Sequence, residues 1–196
     1  MEYAFHSHNA LATDGIFLAL DTLIRRKTVA RVASRGQEQP EITPVVVCIG
    51  SDLAIGDSLG PIVGSMLKYK TQGLGSFIYG TLASPVTAKE IKYIRTFLKE
   101  THPRAYVIAV DAAVGAEGDI GLIKLNDAPL YPGAGANKRL GAIGDISIMA
   151  IVAEKSVANY GLLNTTRLNL VYSMSEIISD ALASILWQHA PKVLHA

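Results

Sequence analysis

The chain is poor in the features that mark most specialised proteins. It has a single cysteine, Cys48, so no intrachain disulfide can form, and the residue sits inside the apolar run Val45–Ile49, where it reads as a small packed hydrophobe. Charged residues make up only 18% of the sequence and the net charge is +1, with no basic stripe, which argues against direct nucleic-acid binding. No apolar run reaches the roughly 18 residues of a membrane span, and residues 1–11 lack the basic and apolar regions of a signal peptide, so a cytoplasmic protein without membrane partners is expected. Neither G-x-G-x-x-G nor G-K-[ST] occurs, so there is no phosphate loop of the nucleotide-binding kinds. The five histidines (His6, His8, His102, His189, His195) stand at no metal-ligand spacing with the acidic residues, and neither a metal nor a cofactor is expected.

What is present is apolar. Hydrophobic residues are 49% of 196, enough to bury roughly two-thirds of the unfolded surface in one domain and to leave room for a homo-oligomer interface. Residues 1–12 read as a loose arm, followed by a helix from Asp14 to about Ala33, with Phe17, Leu20, Leu23 and Ile24 at helical spacing. Ser34–Pro44 reads as a linker, so the chain divides into an N-terminal part, 1–44, and a main domain, 45–196.

From Val45 onward short apolar runs alternate with amphipathic stretches. Val45–Ile49, Ser76–Tyr79, Tyr106–Val110 and Ile146–Val152 read as strands, the more continuous of them buried on both faces. Asp119–Leu125 alternates and reads as an edge or antiparallel strand, and Arg167–Val171 as a last strand. Leu59–Leu67, Thr87–Lys99 and Ser173–Gln188 carry helical stripes, the last through Met174, Ile177, Ile178, Ala181, Leu182 and Ile185. This alternation predicts an α/β fold: a three-layer sandwich with a mostly parallel twisted sheet and helices on both faces.

Ligands of such sheets bind beyond the carboxyl ends of the strands, so the loops there carry the candidate chemistry. Gly50–Pro61 follows the first core strand and holds Asp57 and Ser58, either of which could instead serve as a helix N-cap. Asp111 follows Tyr106–Val110, and a carboxylate at the end of a buried strand must be solvated, paired or bound. Its simpler reading is a carboxylate held by the amides of the next turn. Gly80–Pro85 offers Thr81 and Pro85 as groove-lining residues, with a Ser84–Pro85 bond that could be cis. Tyr131–Gly141 is glycine-rich, with Gly133, Gly135, Asn137, Lys138 and Arg139 suited to an anion or a peptide, or simply a solvated loop.

The segments "GDSLGP" with Asp57, "VIAVDAAVG" with Asp111 and "YPGAGANKR" with Lys138, in that order, resemble the spore germination protease. They resemble more closely the smaller YyaC-like sporulation family, domain of unknown function 1256, and more distantly the hydrogenase maturation endopeptidases. The resemblance runs from about Val45 to the last helix. It implies a phosphorylase/hydrolase-like fold and an endopeptidase working through the aspartate pair Asp57 and Asp111, with Lys138 beside them. It also implies a peptide or protein substrate, such as the small acid-soluble spore proteins, in a sporulating cell or spore. The maturation enzymes use the same two positions with a later histidine to bind nickel. No histidine stands in the matching Tyr131–Lys138 loop here, which argues against that metal. Two other readings stay open: a non-catalytic sporulation protein that binds a peptide or small anion in the same groove, and a metal-assisted endopeptidase.

Overall fold

The structure, a computed structural model, describes residues 1–35, 44–133, 140–155 and 166–190. Its elements in chain order are β1 (Glu2–His6), α1 (Ala12–Arg35), β2 (Val45–Cys48), α2 (Leu59–Lys70), β3 (Ile78–Tyr79), α3 (Ile91–Thr101), β4 (Val107–Gly115), β5 (Leu122–Asn126), β6 (Ile146–Glu154) and α4 (Leu168–Gln188). The six strands form one mixed sheet in the order β1-β5-β6-β4-β2-β3. Its β6-β4-β2-β3 part is parallel, while β5 runs against β6 and β1 against β5. The α/β sandwich is thus as expected, with helices on both faces.

The two faces are covered unequally. Alternate residues of the central strands point to opposite sides. Val46, Cys48, Ile108, Val110, Ile148 and Ala150 pack under α1, α2 and α4. Val45, Val47, Ile49 and Ala109 face the other way, where α3 supplies Ile91, Ile94 and Leu98, and Leu130 and Ile143 close the rest. Among the described residues α4 is long and apolar enough to cross a membrane by length and composition. Here 56% of that apolar window is buried inside the fold, and α4 packs against both α1 and α2.

Several expectations need correction. The first residues are not a loose arm: β1 pairs with β5 from Glu2↔Asn126 to His6↔Leu122. Tyr3 and Phe5 pack on the same core cluster as Ile16, Leu20, Leu23 and Ile24 of α1. β5 is antiparallel, as its alternation suggests, but β1 covers it, so it is not an edge. Arg167–Val171 is not a strand. Arg167 stands just before α4, whose first turns contain Leu168–Val171. A short apolar run is equally compatible with a buried helix start, and tertiary packing decides between them. No cis peptide bond occurs among the described residues, so Ser84–Pro85 is trans.

Candidate active site

The strand β2 stops at Cys48, where its pairing with β4 ends at Val110. β4 does not stop there. It runs on to Gly115 beside β6, and Asp111 pairs with Met149. Asp111 therefore lies inside a strand rather than just after one, as the first β4 residue past the end of its neighbour. That offset opens one side of β4 at the carboxyl edge of the sheet. By strand alternation Asp111 shares the α3 face with Ala109.

The chain leaving β2 turns back on itself to bring in Asp57. Gly50 has φ +143°, and a Cβ there would stand 2.0 Å from the Asp57 carbonyl oxygen, so only glycine permits the closure. The Ser51 amide donates to that carbonyl at 3.1 Å. Ser58 occupies the N-cap position of α2, yet its hydroxyl donates backwards to the Ile55 carbonyl at 2.6 Å and makes no capping bond. Neither Asp57 nor Ser58 thus serves as a side-chain cap in the expected way.

The two carboxyls sense one another. Burial raises the Asp57 pKa, with the Ser51 amide working against this. The Asp111 pKa is raised well above the carboxylate range, first by burial, then by the charge of Asp57, with the Ala112 amide opposing. Asp111 is enclosed on most sides but keeps part of its surface open. Two acids that repel one another while partly buried do not ionise together readily, and the more enclosed one keeps its proton longer.

The remaining predicted residues divide. Thr81 is buried in a tight turn: its hydroxyl accepts from the Ser84 amide at 3.2 Å, and Thr81 and Ser84 exchange backbone bonds at 3.0 and 3.1 Å. Pro85 leads into Val86, which bridges to Ile49 and accepts from the Gly50 amide at 3.1 Å, so this loop lies alongside the Asp57 loop. Gly133, with φ +71°, begins the glycine-rich loop, whose foot is tied by mutual Leu130–Ile143 backbone bonds at 2.8 Å. Gly135, Asn137, Lys138 and Arg139 lie outside the described residues. Leu53, 90% exposed in the Asp57 loop, is an apolar neighbour that sequence reasoning passed over.

His102 and His189 have other partners. His102 shares a 2.7 Å hydrogen bond with the Tyr79 hydroxyl, and His189 lies 3.7 Å from Asp21. No group of three His, Cys, Asp or Glu that could hold a metal converges among the described residues. Two carboxyls alone are a poor match for nickel, which favours nitrogen and sulfur donors.

Comparison with known proteins gives relatives of the chain. The family model described as "Protein of unknown function (DUF1256)" matches residues 22–181. The chain is 43% identical over 140 residues to the uncharacterized protein YyaC of Bacillus subtilis (strain 168), which spans 71% of this chain and 67% of that protein. Among solved structures, the NiFe-hydrogenase maturation protease HycI from Thermococcus kodakarensis KOD1 is 20% identical, with 74% of this chain and 93% of that one covered and a TM-score of 0.47.

Proposed function

The chain belongs to the DUF1256 family, and from that premise we propose that it is an endopeptidase in which Asp57 and Asp111 share one proton. The observation that carries this reading is the placement of two half-buried carboxyls at one edge of the sheet: Asp111 is the first β4 residue past the end of β2, and the loop leaving β2 closes at Gly50 to return Asp57. A pair so arranged supplies both a base and an acid, since the more enclosed carboxyl keeps its proton after the other has ionised.

In the proposed reaction Asp57, the ionised partner, removes a proton from a water between the carboxyls. The water oxygen attacks the scissile carbonyl carbon while Asp111 gives its proton to the carbonyl oxygen. Collapse of the resulting gem-diol breaks the C–N bond. Asp57 then passes its proton to the leaving nitrogen, and Asp111 recovers one from the diol hydroxyl. The pair ends with the single proton it began with. Lys138 is assigned to steady the developing oxyanion. The substrate proposed is a protein of the sporulating cell, with the small acid-soluble spore proteins as the first to test, and the place of action is the cytoplasm of that cell or spore.

The test is cleavage of purified small acid-soluble spore protein by the wild-type chain, Asp57→Asn and Asp111→Asn, with products read by mass spectrometry. Cleavage by the wild type that both substitutions abolish is expected. Equal behaviour of the three proteins overturns the reading and leaves a peptide- or anion-binding protein of the same fold. Loss of wild-type cleavage on treatment with a chelator would favour a metal-assisted reaction instead.

A further inference from the structure

Half-buried cations in this fold have acidic partners. Lys27 meets Asp127 at 2.5 Å, Arg31 meets Asp145 at 2.9 Å, Lys70 meets Asp180 at 2.7 Å and Lys124 meets Asp119 at 3.3 Å. Among the described residues Arg95 of α3 departs from this pattern: it is half-buried and makes neither a hydrogen bond nor an ion pair. Its guanidinium lies against Gly141, where a Cβ would stand 2.3 Å from Nη1 and 2.9 Å from Cζ. Gly141 also has φ +84°, so both its backbone conformation and the nearness of the guanidinium call for glycine there.

The place matters. Arg95 sits between Ile94 and Leu98, which pack with Val47, Ile49 and Ala109 on the sheet face that Asp111 shares. Leu140, beside Gly141, packs on the same cluster, so the guanidinium stands at the foot of the glycine-rich loop. By sequence the rest of that loop, residues 134–139, contains Lys138 and Arg139 and no acid, so it brings no counter-charge. A half-buried guanidinium with no acid beside it can take one from a ligand, and its rigid fork of donors suits a carboxylate above other ligands.

We infer that Arg95 is a specificity-determining residue that receives an Asp or Glu side chain of a peptide laid across the rim where α3 meets Gly141, toward Asp57 and Asp111. That a peptide is the occupant rests on the endopeptidase reading. Arg95 selects acidic sequence, while the aspartate pair performs the cut.

A random peptide library tests this in two arms. In the first, the wild type, Arg95→Gln, Arg95→Lys and Arg95→Glu digest the library and the cut sites are sequenced. In the second, the same four proteins, each also carrying Asp111→Asn, are immobilised and the retained peptides are sequenced. The expected result is about tenfold enrichment of Asp and Glu at one fixed position by the wild type, the size of one charge-assisted bidentate contact. Arg95→Gln loses the enrichment, Arg95→Lys keeps part of it, and Arg95→Glu turns it toward Lys and Arg. An unchanged preference in all four proteins, or no acidic preference in the wild type, overturns the inference. Absence of cleavage with acidic retention intact would overturn the endopeptidase reading alone. Unchanged melting temperatures, with the partial rescue by lysine, separate lost recognition from lost folding.

Discussion

One face of the sheet lies under three helices and the other under one short helix and a loop. Under α1, α2 and α4 the side chains are sealed: Ile16, Leu20, Leu23, Ile24, Met174, Ile178 and Leu182 have no exposed surface. The cations at the rims of that layer pair with acids, as Lys70 does with Asp180. Under α3 the cover is thinner. There Asp111 keeps open surface and Arg95 has no counter-charge. The contrast separates two tasks. Pairing with β6 holds β4 extended past the end of β2, and the thin side leaves that extension accessible.

The sharpest break of this division would come from chemistry. Asp57→Asn and Asp111→Asn each lower peptide cleavage by about a thousandfold or more, as removal of one member of a catalytic unit does, measured as kcat/KM on a cleaved spore-protein peptide. Retained cleavage in either variant would take the catalytic task away from the thin face.

Next in size is packing. Leu20→Ala, on the sealed side, costs about 3–5 kcal/mol, and Ile94→Ala under α3, at 5% exposure, costs about 2 kcal/mol, both from urea unfolding. Equal losses would mean that the two faces contribute alike.

A smaller effect runs in the opposite direction. Burial and the Asp57 charge hold the Asp111 pKa above its unfolded value of about 4. Such an acid keeps its proton in the fold, so its contribution is fully present below the unfolded pKa and is lost as pH rises through the folded one. Asp111→Asn therefore leaves the melting temperature nearly unchanged at about pH 4 and raises it increasingly as the pH is taken above that, where ionising the enclosed aspartate costs the fold more than it costs the unfolded chain. A fall in melting temperature across that range would mean that the carboxylate is a structural asset.

The least effect separates two arginines. Arg31 of α1 pairs with Asp145, bonds the Arg104 carbonyl at 3.0 Å and stacks over the Tyr106 ring at 3.9 Å, so Arg31→Ala costs about 1–2 kcal/mol. Arg95→Ala removes no bond and shifts stability by less than about 0.5 kcal/mol. A large loss at Arg95 in the same unfolding assay would give it a structural duty instead.

The elements legible in the sequence are those whose signal is local. Val45–Cys48 and Ile146–Val152 are continuous apolar runs, and the stripes of α2 and α4 recur at helical spacing, so their type follows from burial alone. Less legible is what depends on a distant partner. Tyr3 and Phe5 alternate with Glu2, Ala4 and His6, a strand signal, but five residues acquire it only by pairing with β5 some 120 positions away. Ala112–Gly115 carries little strand propensity and is extended because β6 lies beside it. Arg95 reads in sequence as an ordinary surface residue of an amphipathic helix, since being unpaired is a property of its surroundings.

By itself, then, the sequence determined that the chain builds an α/β sandwich and that two acidic residues stand near the carboxyl ends of neighbouring core strands, because both follow from periodicity and order along the chain. Only the tertiary structure decided that Asp57 and Asp111 come to the same edge of the sheet, that β4 outruns β2 to make the opening, and that among the described residues one half-buried arginine is left without a partner. Electrostatic coupling and exposure fall off with distance through space, and strand pairing and loop closure set that distance between residues far apart in sequence.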